Sequence, residues 1–101
     1  MIYDIERTSR YKRDYKLMEK RGANMALLHE VIDLLRQGKP LPMKHCDHAL
    51  KGKFIGSREC HIMPDWLLIY QIERDILVLT LMRTGTHSEI FVKEESVAYC
   101  E

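Results

Sequence analysis

Apolar residues recur at intervals of three and four through Leu27, Leu28, Val31, Ile32, Leu34 and Leu35, which is the signature of a helix that buries one side. Asn24 is placed to cap its start, and Gly38 with Pro40 stops it. A shorter stripe, Tyr11, Tyr15 and Met18, predicts an earlier helix capped by Thr8 or Ser9 and ending near Gly22. Residues 2–6 read as an opening strand. From Lys39 to Gly56 the periodicity gives way to Pro, Gly, Lys and His, which predicts a long connecting loop of the kind that carries function. Three strands follow, at residues 57–63, 66–72 and 76–83, with Pro64-Asp65 and Glu73-Arg74-Asp75 as their turns. The last two are apolar on both faces, as central strands are. In the first, alternation sends Glu59, His61 and Met63 to one face and Arg58, Cys60 and Ile62 to the other. The predicted order is β-α-α-β-β-β: an α+β domain in which a helical hairpin packs on one face of an antiparallel meander.

With 101 residues, of which 46% are hydrophobic and 31% charged, the chain is large enough for one core and too short for two. No run of about 18 apolar residues is present to span a bilayer, and Met1-Ile2-Tyr3-Asp4 lacks the features of a secretory signal, so a cytoplasmic location is expected. Cys46, Cys60 and Cys100 are odd in number and widely spaced, which argues for free thiols in a reducing compartment. The formal charge of +1 conceals an asymmetry. Basic side chains crowd Arg7, Arg10, Lys12, Arg13, Lys16, Lys20 and Arg21, while Glu94, Glu95 and Glu101 make residues 92–101 an acidic tail. A polyanionic partner fits this body. A solvated helix face interspersed with Asp14 and Glu19 explains the same residues without any partner.

The chemistry-bearing residues are His48, His61, Asp65 and His87. Imidazoles titrate near neutrality, so several in one cleft would suit cleavage of a phosphodiester without a metal. His45, Cys46, His48, Cys60 and His61 contain zinc-ligand types, but no Cys-x-x-Cys or His-x(3–5)-His pairing of the structural kind, and no metal or other cofactor is expected. Each residue also has a plainer reading. A lone histidine near a strand end is more often hydrogen-bonded than catalytic, Asp65 after Pro64 is a natural turn former, and Trp66 opening an apolar strand is as much a core residue as a surface for stacking a base.

Four blocks in order, Asp47-His48-Ala49-Leu50-Lys51-Gly52, Gly56-Ser57-Arg58-Glu59-Cys60-His61-Ile62, Pro64-Asp65-Trp66-Leu67-Leu68-Ile69-Tyr70 and Arg83-Thr84-Gly85-Thr86-His87-Ser88-Glu89-Ile90-Phe91, make the chain resemble the YafQ branch of the RelE/ParE toxin superfamily. The resemblance covers residues 1–91 as a single RelE-like domain, with residues 92–101 running past the usual end and Ala49 standing where relatives often have proline. It implies a toxin of a type II toxin-antitoxin module, an endoribonuclease that cuts messenger RNA in the A site of the 70S ribosome. His48, His61, Asp65 and His87 fall on the family's catalytic positions. Arg83, Trp66 and Phe91 fall on its RNA- and phosphate-binding ones. The implied chemistry is acid-base, His87 being favoured as general acid, with a 2',3'-cyclic phosphate as product. The implied partner is an antitoxin of ribbon-helix-helix type, the toxin being monomeric when free and hetero-oligomeric with its antitoxin, and no membrane is involved. The alternative is a superfamily member without nuclease activity, acting on another target as the gyrase-poisoning branch does.

Overall fold

Both helices begin where a side chain satisfies the first free amides. Thr8 Oγ1 accepts the Tyr11 N–H at 3.0 Å and donates to the Met82 carbonyl at 2.8 Å, so the cap of α1 (Ser9–Lys20) also ties that helix to the sheet. Asn24 caps α2 (Met25–Arg36) by accepting the Ala26 N–H. Gly22, at φ +79°, ends α1 in the left-handed conformation that only glycine adopts without cost.

The computed structural model of the chain describes residues 2–91; the acidic tail read from the sequence lies outside them. Five strands, β1 (Asp4–Arg7), β2 (His48–Ala49), β3 (Arg58–Met63), β4 (Trp66–Glu73) and β5 (Val78–Gly85), form one sheet in the order β1-β5-β4-β3-β2. The α+β class and the order of the predicted elements hold, with four departures. β1 pairs parallel with β5, Asp4 opposite Val78, so the meander is extended into a mixed sheet. The expected loop 39–56 contains β2 and two short 3-10 turns, Met43–His45 and Gly52–Phe54. A two-residue strand shows no alternation to read, because its identity lies in pairing with β3. The β4–β5 turn runs later than expected, taking in Ile76 and Leu77, with Leu77 at φ +55°. A final short helix, α3 (His87–Ile90), follows β5.

The sheet is covered unequally. On one side Tyr11, Met18, Leu28, Val31, Ile32 and Leu35 of the helices pack against Cys60, Ile62, Leu68, Tyr70, Leu79 and Leu81. On the other, Leu67 and Ile69 meet Leu50, Ile90 and Phe91 in a smaller cluster. Trp66 to Tyr70 are therefore all buried, which is why β4 carries no polar alternation. The smaller cluster leaves the β2–β3 end of its face to polar residues, and the chemistry collects there. Cys60 is a buried free thiol, whereas Cys46 is disulfide-bonded, correcting the expectation of three free thiols; Cys100 lies outside the described residues. Spacing along a chain does not say which thiols a loop brings within bonding reach.

One polar junction locks α1 to β5. Arg83 donates to Asp14 through Nε at 2.9 Å and Nη2 at 3.2 Å, and the same carboxylate accepts the Thr84 N–H at 3.1 Å. Both side chains are largely shielded, at 15% and 11% exposure. Asp14→Ala is expected to lower stability by about 3 kcal/mol in urea denaturation, because it strands a shielded guanidinium, whereas Asp14→Leu combined with Arg83→Met recovers most of the loss. A double variant as unstable as Asp14→Ala would show that the pair is not isolated.

Candidate active site

Four segments bring their polar side chains to the β2–β3 end of the sheet face opposite the helices. His48 comes from β2, Glu59 and His61 from β3, Asp65 from the β3–β4 turn and His87 from the first position of α3. Glu59 and His61 share a face by the two-residue strand period, and pairing of β2 with β3 sets His48 directly opposite Glu59. The rings of His48 and His61 lie 6.4 Å apart, and those of His61 and His87 5.5 Å apart, edge to face. Residues separated by up to 39 positions thus form one row of three imidazoles.

Glu59 lies beneath that row and is completely buried. His48 Nε2 is 2.8 Å from its Oε2, and His61 Nε2 is 3.8 Å from the same oxygen. The His48 tautomer follows from its other contact. Its Nδ1 lies 2.5 Å from the Cys46 carbonyl, an oxygen that can only accept, so Nδ1 carries a proton. A neutral His48 would then turn a lone pair toward an ionised carboxylate 2.8 Å away. A further proton is therefore shared between His48 and Glu59. Burial pushes the Glu59 carboxyl above its ordinary range, against the opposing pull of His48 and His87, which favours retention of that proton. The contact is close but poorly aligned for a conventional hydrogen bond, and it is best described as an ion pair or a shared proton.

The backbone around His48 is fixed from below. Cys46 adopts φ +47°, an uncommon left-handed conformation for a residue with a Cβ. The neighbouring Asp47 is gripped by the Tyr70 hydroxyl and by Arg58 Nε at 3.3 Å. His45 adds a second brace, its Nδ1 lying 2.7 Å from the His61 carbonyl oxygen and donating to it.

His87 has a different anchor. Its backbone N–H and its Nδ1 both reach Asp65 Oδ1, at 3.1 and 2.7 Å. These bonds hold the Asp65 carboxyl below the usual carboxylate range, so it is ionised at neutral pH and Nδ1 is the donor. His61 is shifted downward, first by burial and then by the neighbouring His87 and His48, with Asp65 acting weakly the other way. At neutral pH it is an unprotonated imidazole. The site therefore pairs a neutral ring with a carboxylate-supported one, the division that acid-base catalysis needs.

The remaining residues singled out in the sequence are placed differently. Trp66 is 3% exposed, its Nε1 donating to Thr84 Oγ1 at 2.9 Å while that hydroxyl donates to the Leu67 carbonyl at 2.7 Å. Phe91 is 7% exposed and meets Phe54 edge-on at 5.4 Å. Both rings are buried, Trp66 at the start of an apolar strand and Phe91 just after the closing helix. Arg83 is paired with Asp14 through Nε and Nη2 on the helix-covered side, a contact that ties β5 to α1. Glu59 is the member of this cluster that the sequence did not single out. Its shared parity with His61 was the available signal, and the pairing of β2 that gives it His48 was not. The zinc-type ligands also sort differently: Glu59, His61 and His87 offer donor atoms within 4.8 Å of one another, a set able to hold a transition metal, while His45, Cys46 and Cys60 take no part.

A five-stranded mixed sheet with a helical hairpin on one face and a histidine row on the other defines a small nuclease-like toxin domain. Residues 3–92 match the family described as a bacterial toxin of type II toxin-antitoxin systems, YafQ. The chain belongs to that family. It is 40% identical over 89 residues to the mRNA interferase toxin YafQ of Escherichia coli K12, covering 87% of this chain and 95% of that protein. YafQ in the E. coli DinJ-YafQ toxin-antitoxin complex superimposes with a TM-score of 0.82 at 39% identity, over 90% of this chain and 99% of that one. A metal-bound toxin from Helicobacter pylori gives 0.83 at 42%, over 90% and 100%.

Because His48 is one of the charges holding His61 down, His48→Ala should let the His61 titration move up toward its ordinary value near 6.5. NMR titration of the His61 ring would detect the upward move; an unchanged or lower value would contradict the charge coupling.

Proposed function

We propose that this endoribonuclease toxin of the mRNA interferase class cuts messenger RNA in the ribosomal A site by metal-free acid-base catalysis. The row of three imidazoles around buried Glu59, with His87 held by Asp65, is the observation that carries the reading. Neutral His61 takes the proton of the 2'-hydroxyl, which attacks the adjacent phosphorus. His87, oriented through Nδ1 by Asp65, gives a proton to the departing 5'-oxygen, leaving a 2',3'-cyclic phosphate and a 5'-hydroxyl. The proton shared by His48 and Glu59 cancels the buried carboxylate's negative charge, which would otherwise oppose the charge that builds on the phosphate. Exposed Lys44, Lys51 and Lys53, on the segments flanking His48, supply further cations toward the RNA backbone. A gyrase-binding module would have no use for this arrangement.

The working site is cytoplasmic, where translating ribosomes are. No helix among the described residues is long and apolar enough to cross a membrane. In a translation reaction with wild-type toxin, primer extension should reveal ribosome-dependent cuts, and His61→Ala or His87→Ala should each slow cleavage by at least about 100-fold. An intact message with wild-type protein, or full activity in both variants, would end the nuclease reading.

A transition metal is expected to inhibit. Binding at Glu59, His61 and His87 would consume the lone pairs that proton transfer requires. Toxin stripped with EDTA and then dialysed free of it should therefore still cleave, and stoichiometric zinc or copper should suppress cleavage. Loss of activity in the stripped toxin that added zinc restores would refute the metal-free mechanism.

The antitoxin, of ribbon-helix-helix type, neutralises the chain in a hetero-oligomer, and its acidic segment is seated on the helix side. A groove of about 580 Å³ there is floored by Ile5, Tyr11 and Ile32 and rimmed by Arg7, Lys12, Lys16 and Arg36, with Asp33 the one acidic side chain. Lys12→Glu with Lys16→Glu should slow antitoxin association about tenfold at low salt. Unchanged association would place the contact elsewhere.

A further inference from the structure

The segment that carries His87 is too short to hold itself. α3 is four residues long, a single turn, and a turn of that length has no intrinsic stability in water. Ile90 and Phe91 anchor its far end in the smaller core. Its near end, where His87 sits, is closed by Glu89. That carboxylate folds back to accept the Thr86 N–H and the Thr86 hydroxyl through Oε1, both at 3.0 Å, completing a capping box. Gly85 makes the fold-back possible: a Cβ there would lie 3.1 Å from Glu89 Oε1, at a backbone φ of +157°.

The same carboxylate is gripped from a distant element. Arg21, at the C-terminal cap of α1, donates Nη1 to Glu89 Oε1 at 3.0 Å and Nη2 to Oε2, a bidentate pair bridging 68 positions of sequence. We propose that Arg21 and Glu89 are positioning residues that latch α3 so that the His87 ring meets Asp65 and His61. The inference rests on the catalytic reading of His87 given above. Three further observations support it. Glu89 accepts from two elements at once, so losing Arg21 frees the carboxylate to leave the cap. Arg21 holds the Glu89 carboxyl at about 2, so it is fully ionised at working pH. His87 directly follows the capped residue, so rotation of the cap carries its backbone N–H and its ring away from Asp65 together.

A solvent-facing ion pair is ordinarily worth little to stability, and Arg21 is 44% exposed. The latch is therefore expected to be read in geometry rather than in unfolding. Full-length Arg21→Met, Arg21→Lys and Glu89→Gln should be compared with wild type and His87→Ala in single-turnover cleavage and in ¹⁵N NMR of the imidazoles. Arg21→Met should keep KM for programmed ribosomes and lose kcat by on the order of 10- to 100-fold, the cost of displacing a reacting group by about an ångström. Arg21→Lys should recover most of that loss. The His87 Nδ1–H resonance should shift or broaden in Arg21→Met while the His48 signals stay in place.

Wild-type kcat together with an unmoved His87 resonance in Arg21→Met overturns the latch. So does a loss that Lys does not relieve and that moves all three imidazoles alike, since that marks general destabilisation. If His87→Ala cuts normally, the catalytic reading falls, and the His87 resonance in Arg21→Met still decides whether the latch exists.

Discussion

A carboxylate with no exposed surface organises this molecule's polar end. Burying the Glu59 carboxylate alone would cost several kcal/mol, and it is tolerated because His48 and His61 stand over it and a proton is shared with the first of them. That requirement propagates outward. His48 must be held on β2, which demands the left-handed turn at Cys46 and the grip of Tyr70 and Arg58 on Asp47. His61 must remain close to Glu59 without carrying its own charge, and burial beside two other imidazoles keeps it neutral. The site is a single proton-sharing unit more than a set of independent side chains.

The two faces of the sheet divide the labour. Large apolar residues of α1 and α2 cover one side and supply most of the core, so that side tolerates a basic outer surface and a groove without compromising the fold. The opposite side is only half roofed by Leu50, Phe54, Ile90 and Phe91, and the remaining half is open to polar chemistry. A partner on the helices and an RNA at the histidine row would therefore meet different surfaces, joined through contacts such as Arg83 with Asp14 and Arg21 with Glu89.

What the sequence made legible follows from what is local. The helices, their caps at Thr8 and Asn24, and the opposite facing of His61 and Cys60 come from periodicities within a few residues, and the structure keeps them. β2 escaped notice because two residues have no period and exist as a strand only through β3. The parallel seat of β1 on β5 was unreadable for the same reason: the pairing spans most of the chain. Among the chemical residues, His48, His61, Asp65 and His87 were visible as residue types, but the role of Glu59 depended on a neighbour supplied by pairing. For Trp66, Phe91 and Arg83 the residue type was legible but not the surroundings, since type alone does not say that a ring is buried or a guanidinium paired.

The parallel pairing of β1 with β5 also sets an order of events during synthesis. β1 is made before both helices and cannot pair until β5 has followed, and α3 with His87 comes later still. A chain cut before residue 78 would leave β1 without its neighbour, and one cut before residue 87 would lack the third imidazole of the row.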